Sequence, residues 1–195
     1  MLAPPPPSPY SSNSSMANAS QFQFIRPPKT AFTNARANAP RGPPLYAIEF
    51  HSTNAPSTRI LVYTADMTRL QVGAVVNSAN KYLDLRDNMS SSLLAAAGYN
   101  LQLECNHILE TRHVRFIPLC QNVYTSGGKL PASFVIHAVG PKGYRARDEY
   151  EFRQKLASTL ENVFHTAQEL QISSLAMPLI SSGAVVKQNI IIKLN

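Results

Sequence analysis

A short apolar run followed at once by two amide residues is the feature that most constrains the fold of this chain. Residues 73–76 read GAVV, which is the composition of a buried β-strand. Residues 77–80 read NSAN and place Asn77 and Asn80 where that strand ends. Ligands of α/β sheets lie at the carboxyl ends of strands, and an asparagine amide both donates and accepts hydrogen bonds, which suits ribose hydroxyls. The alternative is that both asparagines only stabilise a turn.

Strand-like and helix-like patterns alternate after the first 44 residues. Apolar and β-branched runs predict strands at 45–50, 59–63, 73–77, 116–123, 134–139 and 175–179. Residues 90–109 show a helical pattern in two pieces that break at Gly98. Residues 148–170 form the clearest helix, since one apolar stripe recurs along them and Asp148 with Glu151 gives a cap-like start. This alternation predicts an α/β fold, a three-layer α/β/α sandwich around a mixed, largely parallel sheet.

Three blocks of the chain resemble the macrodomain, a module that binds ADP-ribose. Residues 65–68 (ADMT) and 76–80 (VNSAN) are similar to that family's Gly-Asp-Ile-Thr and Val-Asn-Ala-Ala-Asn patterns. Residues 134–141 (FVIHAVGP) are similar to its stretch ending in Val-Ile-His-Thr-Val-Gly-Pro, and residues 178–183 (PLISSG) to the start of its second phosphate loop. The resemblance implies a macrodomain over residues 45–195.

The resemblance also implies which residues meet the adenosine and the distal ribose. Asp66 stands where the family's carboxylate accepts a hydrogen bond from the adenine amino group, with the backbone of Met67 beside it. The alternative for Asp66 is an exposed acid that caps the turn before Leu70. Asn80 matches the asparagine that contacts the distal ribose, and Asn77 the one that supports the loop.

The second phosphate loop would hold the diphosphate with backbone N–H groups. By resemblance it is formed by Ser181, Ser182, Gly183, Ala184 and Val185. Glycine permits a close approach, and several converging N–H dipoles make an anion-binding nest. His137, in contrast, lies inside an apolar strand, and we interpret it as a satisfied core residue rather than as a ligand.

The first phosphate loop departs from the family pattern. Residues 85–90 read LRDNMS and hold no glycine, so their backbone is not expected to lie against a diphosphate as in the family. Asp87 would repel phosphate, and Arg86 would partly offset that. Ser90 replaces the aspartate of hydrolytic members, and Val185 replaces the aromatic residue that usually stacks near the distal ribose. These losses predict weak binding, no catalytic residue and no efficient hydrolysis.

Three functions remain open at this point. The first is a binding module for ADP-ribose or ADP-ribosylated protein, with ADP-ribose as ligand and with neither a metal nor a cofactor. The second is an enzyme, an ADP-ribosyl hydrolase that removes mono-ADP-ribose from proteins; the altered loop at 85–90 argues against it. The third is a nucleotide-free module that interacts with protein or RNA, and RNA binding would be dominated by salt.

The N-terminal 44 residues have a composition unlike the rest. They hold ten of the fifteen prolines with many Ser, Asn and Ala, and we predict that they form a disordered tail. Four of the 18 basic residues and none of the 11 acidic ones lie within residues 1–48, so the net charge of +7 leaves only +3 for the remainder. That balance favours an anionic ligand without choosing between ADP-ribose and RNA.

The remaining expectations concern location and the C-terminal end. No run approaches the roughly 18 apolar residues of a membrane span, and no secretory signal is present. With Cys105 and Cys120 as free thiols, we expect a soluble protein of the cytoplasm, the nucleus or both. Only residues 184–195 follow Gly183, where the family continues with a loop, a helix and a final strand. We therefore expect an incomplete C-terminus and an exposed apolar edge.

Overall fold

The computed structural model describes residues 22–24, 46–50, 58–86, 88–142, 147–181 and 188–194. Within these ranges the strands are β1 (Phe22–Phe24), β2 (Tyr46–Phe50), β3 (Thr58–Thr64), β4 (Ala74–Ser78), β5 (Asn122–Ser126), β6 (Phe134–Ala138), β7 (Ser174–Pro178) and β8 (Gln188–Leu194). The helices are α1 (Asn88–Ala97), α2 (Asn100–Thr111) and α3 (Glu149–Glu169), and a single 3₁₀ turn covers Met67–Arg69.

All described strands join one sheet in the order β1-β2-β3-β8-β7-β4-β6-β5. β4 runs parallel to β6 and β7, and every other neighbouring pair is antiparallel. The predicted α/β class and mixed sheet are confirmed. Parallel pairing, however, is confined to the centre of the sheet. Residues 179–187 are too few for a parallel crossover, which needs about a dozen residues or more, so β8 returns antiparallel to β7.

Helices cover both faces of the central strands. On one face α1 and α2 contribute Leu93, Ala97, Leu101 and Cys105 to a buried cluster with Val75 and Val135. On the other face α3 contributes Val163 and Ala167 to a cluster with Val76 and Ile136. Successive side chains of a strand point to opposite faces, so a strand buried on both faces has a continuous apolar run. This explains the GAVV sequence and gives the predicted three layers.

The predicted helix at 148–170 is observed with its predicted cap. Asp148 has extended backbone, and its carboxylate accepts a hydrogen bond from the backbone N–H of Glu151 at 2.7 Å. The break at Gly98 is also observed, between α1 and α2, where Gly98 has φ +91°. The left-handed backbone there favours glycine because a Cβ would be strained.

The strand predicted at 116–123 is wrong for most of its length. β5 begins only at Asn122, and residues 112–121 form a loop of turns, bends and irregular backbone. Phe116 and Leu119 are about half exposed, at 46% and 45%. Ile117 is the buried residue of this segment, and its N–H donates to the carbonyl of Lys81 instead of to a strand. The strand was predicted from apolar composition alone, but the segment is a surface loop that is anchored by the buried side chain of Ile117.

The two ends of the chain show two strands. β1 lies within the segment predicted to be a disordered tail and pairs antiparallel with β2. The remainder of residues 1–44, and residues 182–187, lie outside the described ranges. β8 is paired on both sides, with β3 and with β7, so this C-terminal strand lies in the interior of the sheet and not at an open edge. In the described part of the chain, no helix combines the length and apolar character that crossing a membrane requires.

Candidate functional site

Three loops meet at the carboxyl ends of the parallel strands β4, β6 and β7. The N–H of Ala79, after β4, donates to the carbonyl of Ala138 at the end of β6, at 2.9 Å. Gly140 packs against the segment after β7: a Cβ at this position would lie 2.6 Å from Cγ2 of Ile180 and 2.8 Å from Oγ of Ser181. The loops that carry Asn80 and Ser181 are therefore held together at one edge of the sheet, as predicted for a ligand site.

Asn77 is buried and has internal partners at both ends of its amide. Its Nδ2 lies 3.2 Å from Nδ1 of His137, which is opposite it in the register of β4 and β6. Its Oδ1 accepts a hydrogen bond from Oγ of Ser90 in α1 at 2.9 Å. Asn77 thus ties the two central strands to the first turn of α1. This contact pattern fits the predicted supporting role, and a contact between Asn77 and a ligand stays a prediction.

His137 is a satisfied core residue, as expected. Burial lowers its pKa to about 4, so the imidazole is neutral at pH 7. Since Nδ1 accepts from the amide of Asn77, Nε2 carries the proton and donates to Oγ1 of Thr125 at 3.0 Å. Sγ of Cys105 lies 3.7 Å from the same nitrogen, and burial raises the pKa of this thiol to about 12. Neither group is exposed or charged, so neither can serve as a catalytic base or nucleophile.

Asn80 organises its own loop. Its Oδ1 accepts from the N–H groups of Tyr82 at 3.0 Å and Asp84 at 3.2 Å, and its Nδ2 donates to the carbonyl of Asp84 at 2.8 Å. This hydrogen bonding holds the buried Leu83 at φ +53°, a left-handed conformation that leucine rarely adopts. The turn-stabilising alternative is therefore observed. One Nδ2 hydrogen is left over by these contacts, and Asn80 is only half-buried.

Asp66 caps the 3₁₀ turn that follows β3. Its Oδ1 accepts from the N–H of Thr68 at 3.0 Å and from Oγ1 of Thr68 at 2.7 Å, and the residue is exposed. The alternative of an exposed turn cap is thus what the structure shows, and the adenine contact stays a prediction. Met67 buries its side chain in the core, so only its backbone remains for a ligand.

In the described part of the first loop, Asp84 and Arg86 form an ion pair. The guanidinium of Arg86 contacts both carboxylate oxygens of Asp84, at 2.8 and 2.6 Å. These hydrogen bonds lower the pKa of Asp84 to about 2. Asp87 lies outside the described residues, so the predicted offset of its charge by Arg86 stays a prediction. Ser90 is buried and donates to Asn77, so it does not face solvent.

The second loop is described only at its start. Ser181 is half-buried, with a left-handed backbone at φ +66°. Ser182, Gly183, Ala184 and Val185 lie outside the described residues, and their predicted contacts with phosphate stay predictions. Among the residues that the structure describes, no group of three or more His, Cys, Asp or Glu is placed to hold a metal ion.

A cavity of about 400 Å³ adjoins Asn80, and the sequence did not reveal it. Its apolar walls are Ala79, Leu119, Val139, Gly140 and Pro141, and its polar lining is Asn80, Lys81, Tyr82, Lys142 and Lys155. We call it the lysine cavity. One available signal was that a lysine follows each of two strand-end motifs, NSAN and VGP. The contributions of Leu119 and Lys155 carry no sequence signal, because only the fold brings their distant segments to this edge.

Comparison with known proteins identifies the family. A family model described as Macro domain matches residues 76–187. This chain therefore belongs to the Macro domain family, and the predicted resemblance is confirmed. An uncharacterized protein of Sulfurisphaera tokodaii is 35% identical over 124 residues, which cover 64% of this chain and 64% of that protein. The protein mono-ADP-ribosyltransferase PARP14 of Homo sapiens is 37% identical over 132 residues, which cover 66% of this chain and 7% of PARP14.

A solved macrodomain has a similar fold. The Oceanobacillus iheyensis macrodomain with ADP superimposes with a TM-score of 0.60 at 27% identity, covering 71% of this chain and 70% of that one. A mutant of the same macrodomain with ADPR superimposes with a TM-score of 0.58 at 25% identity, covering 71% and 72%. The neighbour therefore binds an adenosine diphosphate ligand on a fold that this chain shares.

Proposed function

We propose that this chain binds ADP-ribose, free or attached to protein, and does not hydrolyse it efficiently. The observation that carries the proposal is the placement of Asn80, whose loop lies at the carboxyl ends of β4 and β6 with one amide hydrogen left over. Family membership and the ADPR-bound mutant of the Oceanobacillus iheyensis macrodomain support the same ligand.

In the proposed complex, each predicted residue contributes a chemically suitable group. Asp66 is exposed and anionic and has one carboxylate oxygen beyond the turn cap, which suits an adenine amino group. Met67 contributes only backbone, since its side chain is buried. Asn80 donates its remaining N–H to a ribose hydroxyl, and residues 181–185 present N–H groups to the diphosphate.

The groups near the first loop and in the adjoining core support the proposed lack of efficient hydrolysis. An effective general base at neutral pH has a pKa near the operating pH. Asp84 has a pKa of about 2 because Arg86 stabilises its charged form, so it is a weak base. Ser90 uses its hydroxyl as a donor to Asn77 and is buried. His137 is enclosed in the core.

Calorimetric titration of the full chain with ADP-ribose tests the proposal. We expect binding that is abolished by Asn80→Asp, a variant that keeps the oxygen acceptor for Tyr82 and Asp84 but removes the donor and adds a negative charge. Asn100→Asp, at an exposed position in α2, is the matched control and should bind like the parent. Circular dichroism must show that both variants are folded.

A second assay separates binding from catalysis. Release of ADP-ribose from a mono-ADP-ribosylated protein is followed with this chain and with a hydrolytic macrodomain in parallel. We expect no release above background at concentrations that saturate binding. A comparable rate for the two proteins would overturn the non-catalytic assignment, and an absence of binding heat from folded chain would overturn the assignment of ADP-ribose itself.

A further inference from the structure

The lysine cavity extends the candidate site beyond the residues assigned to ADP-ribose. Asn80 is shared by the cavity and the predicted ribose contact, whereas the other lining residues belong to no predicted contact. The volume of about 400 Å³ falls within the range of roughly 300–1,000 Å³ that ligand sites occupy. Whatever lies here would therefore be next to the distal end of a bound ADP-ribose, where a modified protein would be attached.

The charge of the cavity is positive. Lys155 is paired with Glu151 at 2.8 Å, and Lys155 is the first cause of the lowered pKa of Glu151, about 2. The Nζ of Lys81 instead lies 4.8 Å from the ring centroids of Tyr82 and Phe116, which stabilise the ammonium group without cancelling its charge. Lys142 is exposed, and within the described ranges neither it nor Lys81 forms an ion pair.

The rest of the lining is apolar and partly open to solvent. Leu119 is 45% exposed, and Val139 and Pro141 form a wall beside it. Among the described residues, no carboxylate lines the cavity. An occupant that matches these surfaces carries negative charge for Lys81 and Lys142 together with an aliphatic side chain for Leu119 and Pro141.

From this charge complementarity we infer that the lysine cavity binds an acidic peptide segment next to the ADP-ribosylated residue of a target protein. The inference rests on the proposed function, because the nucleotide would place the peptide at the cavity. RNA fits less well, since the ammonium group of Lys81 lies over the rings of both Tyr82 and Phe116 and leaves less ring surface on which a base can stack.

Competition experiments with defined peptides test the inference. The probes are free ADP-ribose and two ADP-ribosylated peptides, one with Asp, Glu and Leu beside the modified residue and one with Asn, Gln and Leu. The readout is the affinity for the acidic peptide divided by the affinity for the neutral one. A lysine substitution that acts at long range on the diphosphate changes both affinities equally, so this effect cancels in the ratio. Two exposed ion pairs of ordinary strength predict a ratio of roughly five in favour of the acidic peptide at low salt.

Charge-removing variants assign that ratio to the cavity. We expect Lys81→Gln with Lys142→Gln to reduce the ratio to near one, while Lys129→Gln, an exposed lysine that does not line the cavity, leaves it unchanged. A ratio near one in the parent chain, with ADP-ribose still bound, overturns this inference and leaves the proposed function intact.

The remaining outcomes are equally decisive. No binding of free ADP-ribose overturns the proposed function, and with it the inference. In a further outcome, a single-stranded oligonucleotide displaces the acidic peptide from the parent chain and fails to bind the double lysine variant. That outcome overturns the peptide assignment in favour of nucleic acid.

Discussion

Asn77 and His137 face each other across the parallel strands β4 and β6, with 3.2 Å between Nδ2 of the amide and Nδ1 of the imidazole. The contact is the centre of a buried chain of polar groups that runs from Ser90 in α1 to Thr125 in β5. Buried polar groups are costly unless they are paired, and each group in this chain has a partner. These buried hydrogen bonds therefore fix the register of the strands whose ends form the candidate site.

The stability of the fold should fall on mild acidification because of His137. Its pKa is about 4 in the folded chain and about 6.5 when unfolded, so the unfolded chain binds more protons between these values. The contribution of the neutral, buried imidazole to the free energy of unfolding is fully present above pH 6.5 and is lost as the pH falls toward 4. The shift corresponds to roughly 3 kcal/mol.

Urea denaturation at pH 7 and pH 4.5 measures this loss. His137→Gln should be less stable at pH 7 and should lose much less of its stability on acidification. His165→Gln, at an exposed position in α3, should follow the parent chain. An equal pH dependence for the parent and His137→Gln would show that His137 does not titrate as described.

Ser90→Asp should not create a hydrolase. The new carboxylate would lie in the buried position of Ser90, against Oδ1 of Asn77, where the hydroxyl now donates a hydrogen bond. An unpaired buried charge is strongly destabilising, and we expect a loss of about 2–4 kcal/mol in the free energy of unfolding. Thermal unfolding and the ADP-ribose release assay check the two parts. Activity in a stable Ser90→Asp chain would contradict the prediction.

Gly140→Ala should weaken ADP-ribose binding through the second loop. The added Cβ would lie 2.6 Å from Cγ2 of Ile180 and 2.8 Å from Oγ of Ser181, so these side chains, and with them the start of that loop, are displaced. Gly73→Ala is the matched control, since its Cβ would lie 2.8 Å from Cβ of Ile172, at the amino end of β4, where no ligand contact is predicted.

Both glycine variants should lose roughly 1–3 kcal/mol of stability, as overpacking does. Only Gly140→Ala should also lose affinity for ADP-ribose, by about ten-fold, because shifts of ~1 Å in a positioned site have large effects. Equal losses of affinity, measured by calorimetry at a temperature where both variants are folded, would show that the effect is general.

Asp84→Asn should strengthen ADP-ribose binding. The substitution removes one negative charge, the carboxylate that contacts Arg86, from the first loop, so the electrostatic potential there becomes more favourable for an anion. We expect a gain of about two- to five-fold at low salt that disappears at high salt. Glu149→Gln frees Arg153 from an ion pair of the same 2.6 Å length on α3 and should change nothing. Unchanged affinity in Asp84→Asn would place the anionic part of the ligand away from the first loop.

The sequence predicted the parts of the fold that depend on local pattern. The run at 73–76 predicted β4 and its burial, and Asp148 with Glu151 predicted the cap of α3. Parallel pairing was overestimated because the direction of β8 depends on the length of the segment before it and not on the composition of the strand. Phe116 misled the assignment of β5, since its ring covers Lys81 on the surface and does not fill the core.

At the candidate site, the sequence predicted where the two asparagines lie in the fold but not which groups they bond. Asn77 and Asn80 were predicted as residues at the end of a strand, and the structure places both there. Their hydrogen bonds to Ser90, His137 and Asp84 depend on contacts between loops and were not readable from the pattern. The lysine cavity was missed for the same reason, because Leu119 and Lys155 are far from Asn80 in the chain.

The position of β8 has a consequence for how the sheet is assembled. In the described sheet β3 is hydrogen-bonded to β2 and β8, and β8 is also bonded to β7, so β8 joins the β1–β3 part to the parallel centre. Thr58 pairs with Leu194, a contact between segments far apart in sequence. Such non-local pairing has to overcome a large loop-closure entropy and forms slowly. During synthesis on the ribosome, the edges of β3 and β7 that pair with β8 would therefore have no hydrogen-bonding partner from β8 until this last described strand emerges.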